Sequence, residues 1–312
     1  MESEKSNKPS NSDFKQQRLR GWNCSPNSVV IGSLYIVIGV GFIIFGCFVI
    51  EKSNEVYEVS ERYDDIGECK ADWRTPRTCV VELDVEEYME KPIFFYYEIK
   101  NFYQNHRKFY KSRDIYQLMG DDRSENDVEK YCDPVTTMED LGFYTTLNLT
   151  EDDVANPCGL LPKAYFNDTF SFITSNDTDS FIEIEMENDK IAWDVDTDEK
   201  FEENDNSEEV QWIDVENEHF IVWMNVAGLP YFRKLWGRIE QDLPEGKYQV
   251  VIVNNYDVAS FNGQKWVVIS TTSRFGGKVA FIGVLYIIFG ACALFGAIII
   301  FLTVYLRKRA GR

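Results

Sequence analysis

An uncharged stretch of 28 residues near the carboxyl terminus, Val279 to Leu306, constrains what this chain can fold into more than any other feature. At about 1.5 Å of helical rise per residue, it is longer than the roughly 30 Å hydrocarbon core of a bilayer. A second uncharged run, Val29 to Ile50, lies near the other terminus. We therefore predict two transmembrane helices, at 29–50 and 279–306, with a water-facing domain at 51–278 and short tails at 1–28 and 307–312.

The distribution of charge predicts how the chain is oriented. The middle domain carries 49 acidic and 23 basic residues, a net charge of -26, whereas the tails carry +2 and +4. Basic residues beside the spans favour the cytosol, so both termini are expected there and the domain in the lumen or outside the cell. This predicts an integral membrane protein of the secretory pathway, in the endoplasmic reticulum, Golgi, endosome or plasma membrane. The acidity of the domain argues against binding nucleic acid.

The first span could instead be a cleaved signal peptide. However, 28 residues precede it, it is long for the apolar region of a signal, and no A-x-A site follows it. We therefore expect it to be retained as a membrane anchor.

Cysteines and sequons fit an extracytosolic domain. Four of the seven cysteines fall in it: Cys69, Cys79, Cys132 and Cys158. Disulfides persist in that compartment, and four cysteines allow three connectivities, of which sequence proximity favours Cys69 with Cys79 and Cys132 with Cys158. Glycosylation is predicted at the three sequons of the domain, Asn148, Asn167 and Asn176.

Strand patterns dominate between the spans. Phe181 to Glu187 alternates, with Ile182, Ile184 and Met186 on one face and glutamates on the other. Further short β-branched or aromatic runs are Val80 to Val85, Ile93 to Ile99, Phe220 to Val226, Tyr248 to Val253 and Trp266 to Thr271. The predicted fold class is two transmembrane helices flanking a large, disulfide-stapled antiparallel β-sandwich with a few short helices.

Two other segments of the domain have different patterns. After Pro230, the helical spacing of Phe232, Leu235, Trp236 and Ile239 predicts one amphipathic helix. The segment from Asp194 to Glu218 is rich in acids, and we expect a mobile loop around residues 202–209. Its carboxylates lack EF-hand spacing, so no calcium site is predicted.

Small residues recur every seven positions in both spans, at Gly32, Gly39 and Gly46 and at Gly283, Gly290 and Ala297. Seven residues bring a helix back to nearly the same face, and small residues there let another helix approach closely. The two strips could meet each other, or either could meet the helices of another protein.

Motifs for catalysis are missing from the sequence. It contains no G-x-x-x-x-G-K-[ST], no H-E-x-x-H, no G-x-S-x-G and no D-K-T-G-T, and it has only two histidines. We expect no enzyme activity, no cofactor and no metal site. Two spans without charged residues also make a poor transporter on their own. A two-span channel subunit is the alternative hypothesis, and an isolated lipid-binding module is a third.

One run of the domain is too particular for a generic strand and loop. Residues 91–108 read KPIFFYYEIKNFYQNHRK and continue to Lys111-Ser112-Arg113. This run resembles the signature of the cell division control protein 50 family, the β subunits of phospholipid-flipping P-type ATPases. Further similar segments are spread over the chain in the order of the family pattern: Phe14 to Leu19, Asn156 to Leu160, Phe166 to Thr169, Ile191 to Trp193, Trp223-Met224, Pro230 to Leu235 and Gly276 to Lys278. The chain departs from the pattern at Asn225, where W-M-R-x-A would have Arg, at Asp257 and at Val279.

The resemblance implies a function and a partner. Members of the family are non-catalytic subunits in 1:1 heterodimers with a P4-type ATPase, and they are required for its folding, its exit from the endoplasmic reticulum and its activity. The resemblance also implies a lumenal β-sandwich with disulfides, the second resembling Cys132 with Cys158, and a glycan at Asn167. Membrane lipids are the other expected contacts.

We expect two segments to contact the ATPase. The interface residues of the cytosolic tail are Phe14, Gln16, Gln17, Arg18, Leu19 and Trp22. Those of the signature run are Phe102, Tyr103, Asn105, His106, Arg107 and Arg113. For the tail the alternative is a routine basic flank with Trp22 in the membrane interface.

Overall fold

The computed structural model describes residues 9–19, 27–67, 69–70, 77–142, 147, 149–175, 181–273 and 275–311. In chain order its elements are α1 (Ser28–Asn54), β1 (Glu58–Arg62), β2 (Arg77–Val85), β3 (Ile93–Lys100), α2 (Arg107–Lys111), α3 (Ile115–Leu118), α4 (Glu125–Cys132), α5 (Met138–Leu141), α6 (Leu160–Lys163), β4 (Thr169–Ser175), β5 (Phe181–Ile184), α7 (Asp194–Glu199), α8 (Ser207–Val210), α9 (Glu218–Met224), β6 (Tyr231–Ile239), β7 (Gly246–Asn254), β8 (Gln264–Ser270) and α10 (Ala280–Ala310). A short 3-10 turn spans Ala259–Phe261. The chain divides into a helical unit, Met1–Glu51 with Val279–Arg312, and an ectodomain, Lys52–Lys278.

Helices α1 and α10 are both long and apolar enough to cross a membrane. Their small-residue strips face each other. A Cβ built on Gly46 would lie 2.7 Å from the carbonyl oxygen of Gly283, and one built on Gly39 would lie 2.9 Å from that of Gly290. Of the two arrangements left open by the sequence, the structure therefore shows the strips packed on each other, with their backbones in close contact as glycine allows.

The ectodomain is built on two four-stranded antiparallel sheets. The strand orders are β1-β8-β3-β6 in one sheet and β2-β7-β4-β5 in the other. The inner faces of the two sheets meet through aromatic rings. Between ring centroids, Phe95 of β3 lies 5.3 Å from Phe170 and 6.3 Å from Phe172 of β4, and Trp236 of β6 lies 5.1 Å from Phe170. Alternate residues of β2 and β7 point into this core, and the two antiparallel sheets confirm the predicted fold class.

Two secondary-structure predictions were wrong: a predicted helix is a strand, and a predicted strand is a helix. Residues 231–239 form the edge strand β6 rather than an amphipathic helix. The run at 220–226, predicted as a strand, lies largely in helix α9, whose first turn is capped by the Asn217 side chain. The alternating segment at 181–187 is a strand only to Ile184, and Ile182 on its predicted inner face is 48% exposed.

The acid-rich segment is more ordered than predicted. It contains helices α7 and α8, and residues 202–209, expected to be mobile, are hydrogen bonded to the rest of the ectodomain. The Glu202 N–H donates to the Leu118 carbonyl at 2.9 Å, and the Asn204 amide donates to the Gly120 carbonyl at 2.9 Å. These bonds to the backbone of residues 118–120 explain why a polar, charged sequence is held in place.

Both disulfides pair cysteines that are close in sequence. Cys69 is bonded to Cys79, and Cys132 is bonded to Cys158. The second bond crosses a small separate core, formed by Val128, Cys132, Val135, Met138, Leu141, Ala155 and Cys158. We call the part of the ectodomain around this core, residues 107–142 and 149–163, the small lobe.

Candidate partner-binding face

The signature run leaves the sheet at the end of β3, and the first aromatic residue after the strand packs in the core of the ectodomain. Asn101 has a left-handed backbone, φ 65°, and its amide donates to the Phe261 carbonyl at 2.8 Å. The turn directs Phe102 inward, where its ring lies 5.3 to 5.8 Å from those of Phe109, Trp223 and Phe261. Phe102, one of the expected interface residues, therefore packs largely within its own domain.

Two polar side chains, the buried Gln104 and the exposed Asn105, fix the next part of the run to the rest of the ectodomain. The Gln104 side chain is fully buried and accepts from the Ala227 N–H at 2.8 Å. The Asn105 amide donates to the Gly228 carbonyl at 2.9 Å. Tyr103, which precedes these anchors, is 56% exposed, and His106 and Arg107, which follow them, are exposed.

The small lobe fixes the far end of the run. The Ser112 hydroxyl donates to the Cys132 carbonyl and accepts from the Leu160 N–H, both at 2.8 Å. Arg113 is half-buried and its guanidinium donates to the Met224 carbonyl at 3.1 Å; burial lowers its pKa. The signature run is thus tied to the disulfide-bonded core at one end and to the sandwich at the other.

Five cations cluster on this surface: Arg107, Lys108, Lys111, Arg113 and Lys130. Two adjacent grooves of about 440 and 600 Å³ share Lys111, Lys130 and Tyr131 as lining residues. We call this surface the basic face. Among the residues described, none of the five cations has a carboxylate within 4.0 Å, although the domain carries -26 overall.

Two aspartates also line these grooves without neutralising them. Asp114 is buried and is engaged by Arg123 at 3.3 Å, and Asp133 is exposed. Unpaired charges of one sign in a concave surface create a local field that attracts the opposite charge. The arrangement can therefore bind an anionic surface.

Part of this face was expected from the sequence. The run expected to contact the ATPase, Phe102 to Arg113, contains Arg107 and Arg113 and also Lys108 and Lys111. Lys130 and Tyr131 come from α4, about twenty residues further along the chain. The one sequence feature that could have placed these two residues near the run is the adjacent Cys132, because the core around its disulfide holds α4 against the run.

The described part of the amino-terminal tail forms a compact turn. The Arg18 N–H donates to the Asp13 carbonyl at 2.7 Å, and the Gln16 amide donates to the Ser10 carbonyl at 3.3 Å. Gln17 has a positive φ of 54°. The turn leaves Phe14 75% exposed and also exposes Leu19.

Other predicted sites divide between described and undescribed parts of the chain. Asn167 is exposed on the ectodomain. Trp22, Asn148 and Asn176 lie outside the described residues. Within the described part of the chain, no three His, Cys, Asp or Glu side chains are grouped so as to hold a metal ion.

Comparison with known proteins gives consistent matches over almost the whole chain. A family model described as "LEM3 (ligand-effect modulator 3) family / CDC50 family" matches residues 49–310. "Cell cycle control protein 50A" of Bos taurus is 33% identical over 95% of this chain and 89% of its own length. "ALA-interacting subunit 3" of Arabidopsis thaliana is 34% identical over 97% and 88%. "Phospholipid-transporting ATPase accessory subunit CRF1" of Saccharomyces cerevisiae is 28% identical over 98% and 87%.

Proposed function

The chain belongs to the LEM3/CDC50 family, and we infer from this that it is the non-catalytic accessory subunit of a phospholipid-transporting P4-type ATPase. The observation that carries the inference is similarity along nearly the full length to proteins named as ATPase accessory or interacting subunits. The two apolar terminal helices and the soluble ectodomain agree with a membrane-bound partner. A channel subunit is not supported, because the relatives carry no such name and the two spans pack on each other through their glycines.

We propose that the ectodomain meets the ATPase through the basic face. Support comes from its unpaired cations and from the neighbouring exposed residues Tyr103, Asn105 and His106, which adjoin the buried Gln104; Asn105 is itself hydrogen bonded within the ectodomain. A preformed face loses little conformational entropy on binding. Arg113 contributes a half-buried charge at the edge of this face.

We propose a second contact through the amino-terminal tail. Exposed Phe14 and Leu19 suit apolar pockets on a partner, and Arg18, Gln16 and Gln17 add polar groups beside them. Trp22 continues the same segment in the sequence. This contact requires both termini in the cytosol, which the basic residues beside the two spans favour.

The same membership leads us to propose a role in maturation of the complex. An acidic, disulfide-bonded domain placed in the lumen of the secretory pathway can bind the ATPase from the extracytosolic side and accompany it out of the endoplasmic reticulum. Steady-state residence could then be the Golgi, an endosome or the plasma membrane, and Asn148, Asn167 and Asn176 are the proposed glycan acceptors.

Charge reversal on the basic face tests the ectodomain contact. The triple variant Arg107→Glu, Lys111→Glu and Lys130→Glu reverses three unpaired cations that are exposed to solvent. We expect at least about a tenfold loss of ATPase recovered with a tagged copy in mild detergent, since like charges placed across an interface repel. A matched control is Lys91→Glu, Lys190→Glu and Lys247→Glu, which makes the same charge change at exposed positions elsewhere.

The outcomes separate the interface from the function. Undiminished recovery of the ATPase with the reversed basic face would reject this placement while leaving the accessory role intact. If the unmodified chain retained no P4-type ATPase, the accessory role itself would be rejected. Phe14→Ala with Leu19→Ala, tested separately, should weaken recovery without affecting the disulfide-bonded ectodomain.

A further inference from the structure

The two sheets of the ectodomain are joined at one end by a buried lysine and a buried asparagine. Lys265 is the second residue of β8, in one sheet, and Asn254 is the last residue of β7, in the other. Each of them is 1% exposed. The Lys265 ammonium donates directly to the Oδ1 atom of Asn254. A primary amine and a carboxamide are therefore in contact, away from solvent.

The carboxylate of Asp168 contacts the same ammonium. Asp168 precedes β4 and is 0% exposed, and its Oδ2 accepts from Lys265 at 2.6 Å and from the Tyr63 hydroxyl at 2.7 Å. Its other oxygen, Oδ1, accepts from the backbone N–H groups of Asn255 and Tyr256, both at 2.6 Å. These bonds fix the carboxylate beside the amine, where it can take up and return a proton.

The walls around the Lys265 ammonium are aromatic. Its Nζ atom lies 5.1 Å from the ring centre of Tyr63 and 6.0 Å from those of Phe166 and Tyr256. Burial lowers the pKa of Lys265, against the opposing effect of Asp168, because the ammonium loses hydration when it leaves water. A buried amine that gives up its proton becomes a nucleophile, since its lone pair is then free.

The carboxamide of Asn254 is held in a fixed orientation. Its Nδ2 donates to the Cys69 carbonyl at 2.5 Å, and Cys69 is itself bonded to Cys79 of β2. The carbonyl oxygen of the amide therefore points to Lys265, while the nitrogen is engaged by Cys69. Groups held in contact in this way react as if at a concentration far above that of the same groups free in solution.

From this arrangement we propose that Lys265 and Asn254 form an isopeptide bond in the folded ectodomain, with Asp168 as the proton carrier. Asp168 takes one proton from the ammonium, and the lone pair of Nζ attacks Cγ of Asn254. The Nζ–Cγ bond forms and the Cγ–Nδ2 bond breaks. The proton held by Asp168 and a second proton lost from Nζ both pass to Nδ2, which leaves as ammonium, and Asp168 returns to the carboxylate. The step consumes no other reactant.

The reacting atoms are shielded, yet the leaving group can reach solvent. A groove of about 360 Å³ is lined by Asn254, Tyr256 and Lys265. Ammonium released into this groove diffuses away, while the low exposure of both residues keeps water from intercepting the reaction. The new bond joins β7 to β8, and so one sheet to the other, across 11 positions of the sequence.

The bond predicts a specific tryptic peptide. Successive trypsin sites in this part of the sequence are Lys247, Lys265 and Arg274. A chain without the bond gives peptides 248–265 and 266–274. Trypsin does not cut after a lysine whose amine is acylated, so the linked chain gives a single peptide, 248–274, lighter by one ammonia than its sequence.

A second digestion separates the isopeptide bond from other losses of ammonia. Asn262 precedes Gly263 in the same peptide, and ring closure of an asparagine at such a site also releases ammonia. Chymotrypsin cuts after Tyr256 and Phe261, between the two residues of the proposed bond. Only an isopeptide bond keeps the two halves joined after that cut.

The full-length chain is purified in detergent, kept folded at neutral pH, and sampled over time before reduction, digestion and mass spectrometry. We expect most of the chain to carry the linked peptide. Asp168→Asn should form the bond at least about 100-fold more slowly, because the proton carrier is lost. Asp257→Asn is the matched control, since it removes a carboxylate of the same groove whose hydrogen bond is to the Ala259 N–H, and it should link at the unmodified rate.

Three results would overturn the proposal. One is a folded chain that gives only peptides 248–265 and 266–274, which leaves Lys265 as an ion-pair partner and nothing more. Another is a cross-link from Lys265 to the peptide that contains Asp168, with loss of water, since the carboxylate would then be the acyl donor. The third is a folded Asp168→Asn chain that links at the unmodified rate. If Asp168→Asn does not fold, the unmodified chain still decides, together with Lys265→Arg, which keeps the charge and must give no linked peptide.

Discussion

Replacement of Gly159 by alanine tests how the small lobe holds the basic face. Gly159 has φ 109° and ψ 164°, a region of backbone conformation that is essentially restricted to glycine and costs other residues about 1–3 kcal/mol. A Cβ at this position would also lie 2.1 Å from the Ser112 carbonyl oxygen. Ser112 would have to move, and its backbone and side chain make hydrogen bonds to the small lobe.

The size of the effect follows from those bonds. The Ser112 hydroxyl bonds to Cys132 and Leu160, and its carbonyl accepts from the Leu161 N–H at 3.3 Å. Losing three such bonds costs about 0.5–1.5 kcal/mol each. With the backbone strain, we expect Gly159→Ala to lower the free energy of unfolding by about 3–6 kcal/mol.

The assay is thermal unfolding of the full-length chain in detergent, followed by tryptophan fluorescence. At roughly 2–4 °C per kcal/mol for a domain of this size, the Tm should fall by about 6–24 °C. Limited proteolysis should also become faster within residues 107–113, because Ser112 no longer anchors them. Gly228→Ala is the matched control, since a Cβ there meets nothing within 4 Å and its φ is not positive. A Tm within 2 °C of the unmodified chain, with residues 107–113 still protected, would refute this account of the lobe.

Three further outcomes are expected. Glu218→Ala should cost about 3 kcal/mol in thermal unfolding, because its carboxylate accepts three backbone N–H groups at 2.6 to 2.8 Å; an unchanged Tm would contradict this. Burial lowers the pKa of His219 to about 4, so the unfolded chain, titrating near 6.5, takes up the proton first. Stability should then fall as the pH drops from about 6.5 to 4, by up to about 1.4 kcal/mol per unit, and His219→Phe should flatten that part of the Tm-against-pH curve. Gly39→Leu should lower the aggregation temperature in detergent by separating the two spans, whereas Gly41→Leu, whose Cβ meets nothing within 4 Å, should not.

The two secondary-structure errors have one physical origin, a buried lysine. Strand β6 places Phe232, Lys234 and Trp236 inward in ordinary alternation. Lys234 interrupts the apolar alternation in the sequence, so the remaining apolar positions match a helical period instead. Lys234 is buried because its ammonium donates to carbonyls of Val222, Trp223 and Asn225 at the end of α9.

The same contact explains the helix that was read as a strand. Helix α9 is seven residues long, which is short for a helix, and its apolar run, residues 220–224, suits a buried strand by length. Its final carbonyls have no partner within the helix and are satisfied by a lysine from another element. Neither segment could be assigned alone, because each depends on the other.

The spans and most strands were predictable because their patterns are local. Charge-free length defines α1 and α10, and alternation defines β2 and β7. The candidate site was only partly predictable, because the binding surface depends on which side chains of the run are exposed to solvent, and the sequence pattern does not show this. Phe102 and Tyr103 are adjacent aromatic residues, yet one packs in the core and the other faces solvent, since a left-handed turn at Asn101 sets which way each points.

Asn225, where the chain departs from the family motif, links the end of α9 to α7. The family pattern led us to expect arginine there. The Asn225 amide donates to one carboxylate oxygen of Asp196 at 2.9 Å, and Lys200, one helical turn along α7, pairs with the other oxygen. Burial alone would raise the pKa of Asp196, but the hydrogen bonds from Lys200 and Asn225 lower it, so the carboxylate remains charged. Asn225 and Lys200 thus share the Asp196 carboxylate and link the end of α9 to α7, a contact that no single-position pattern would identify.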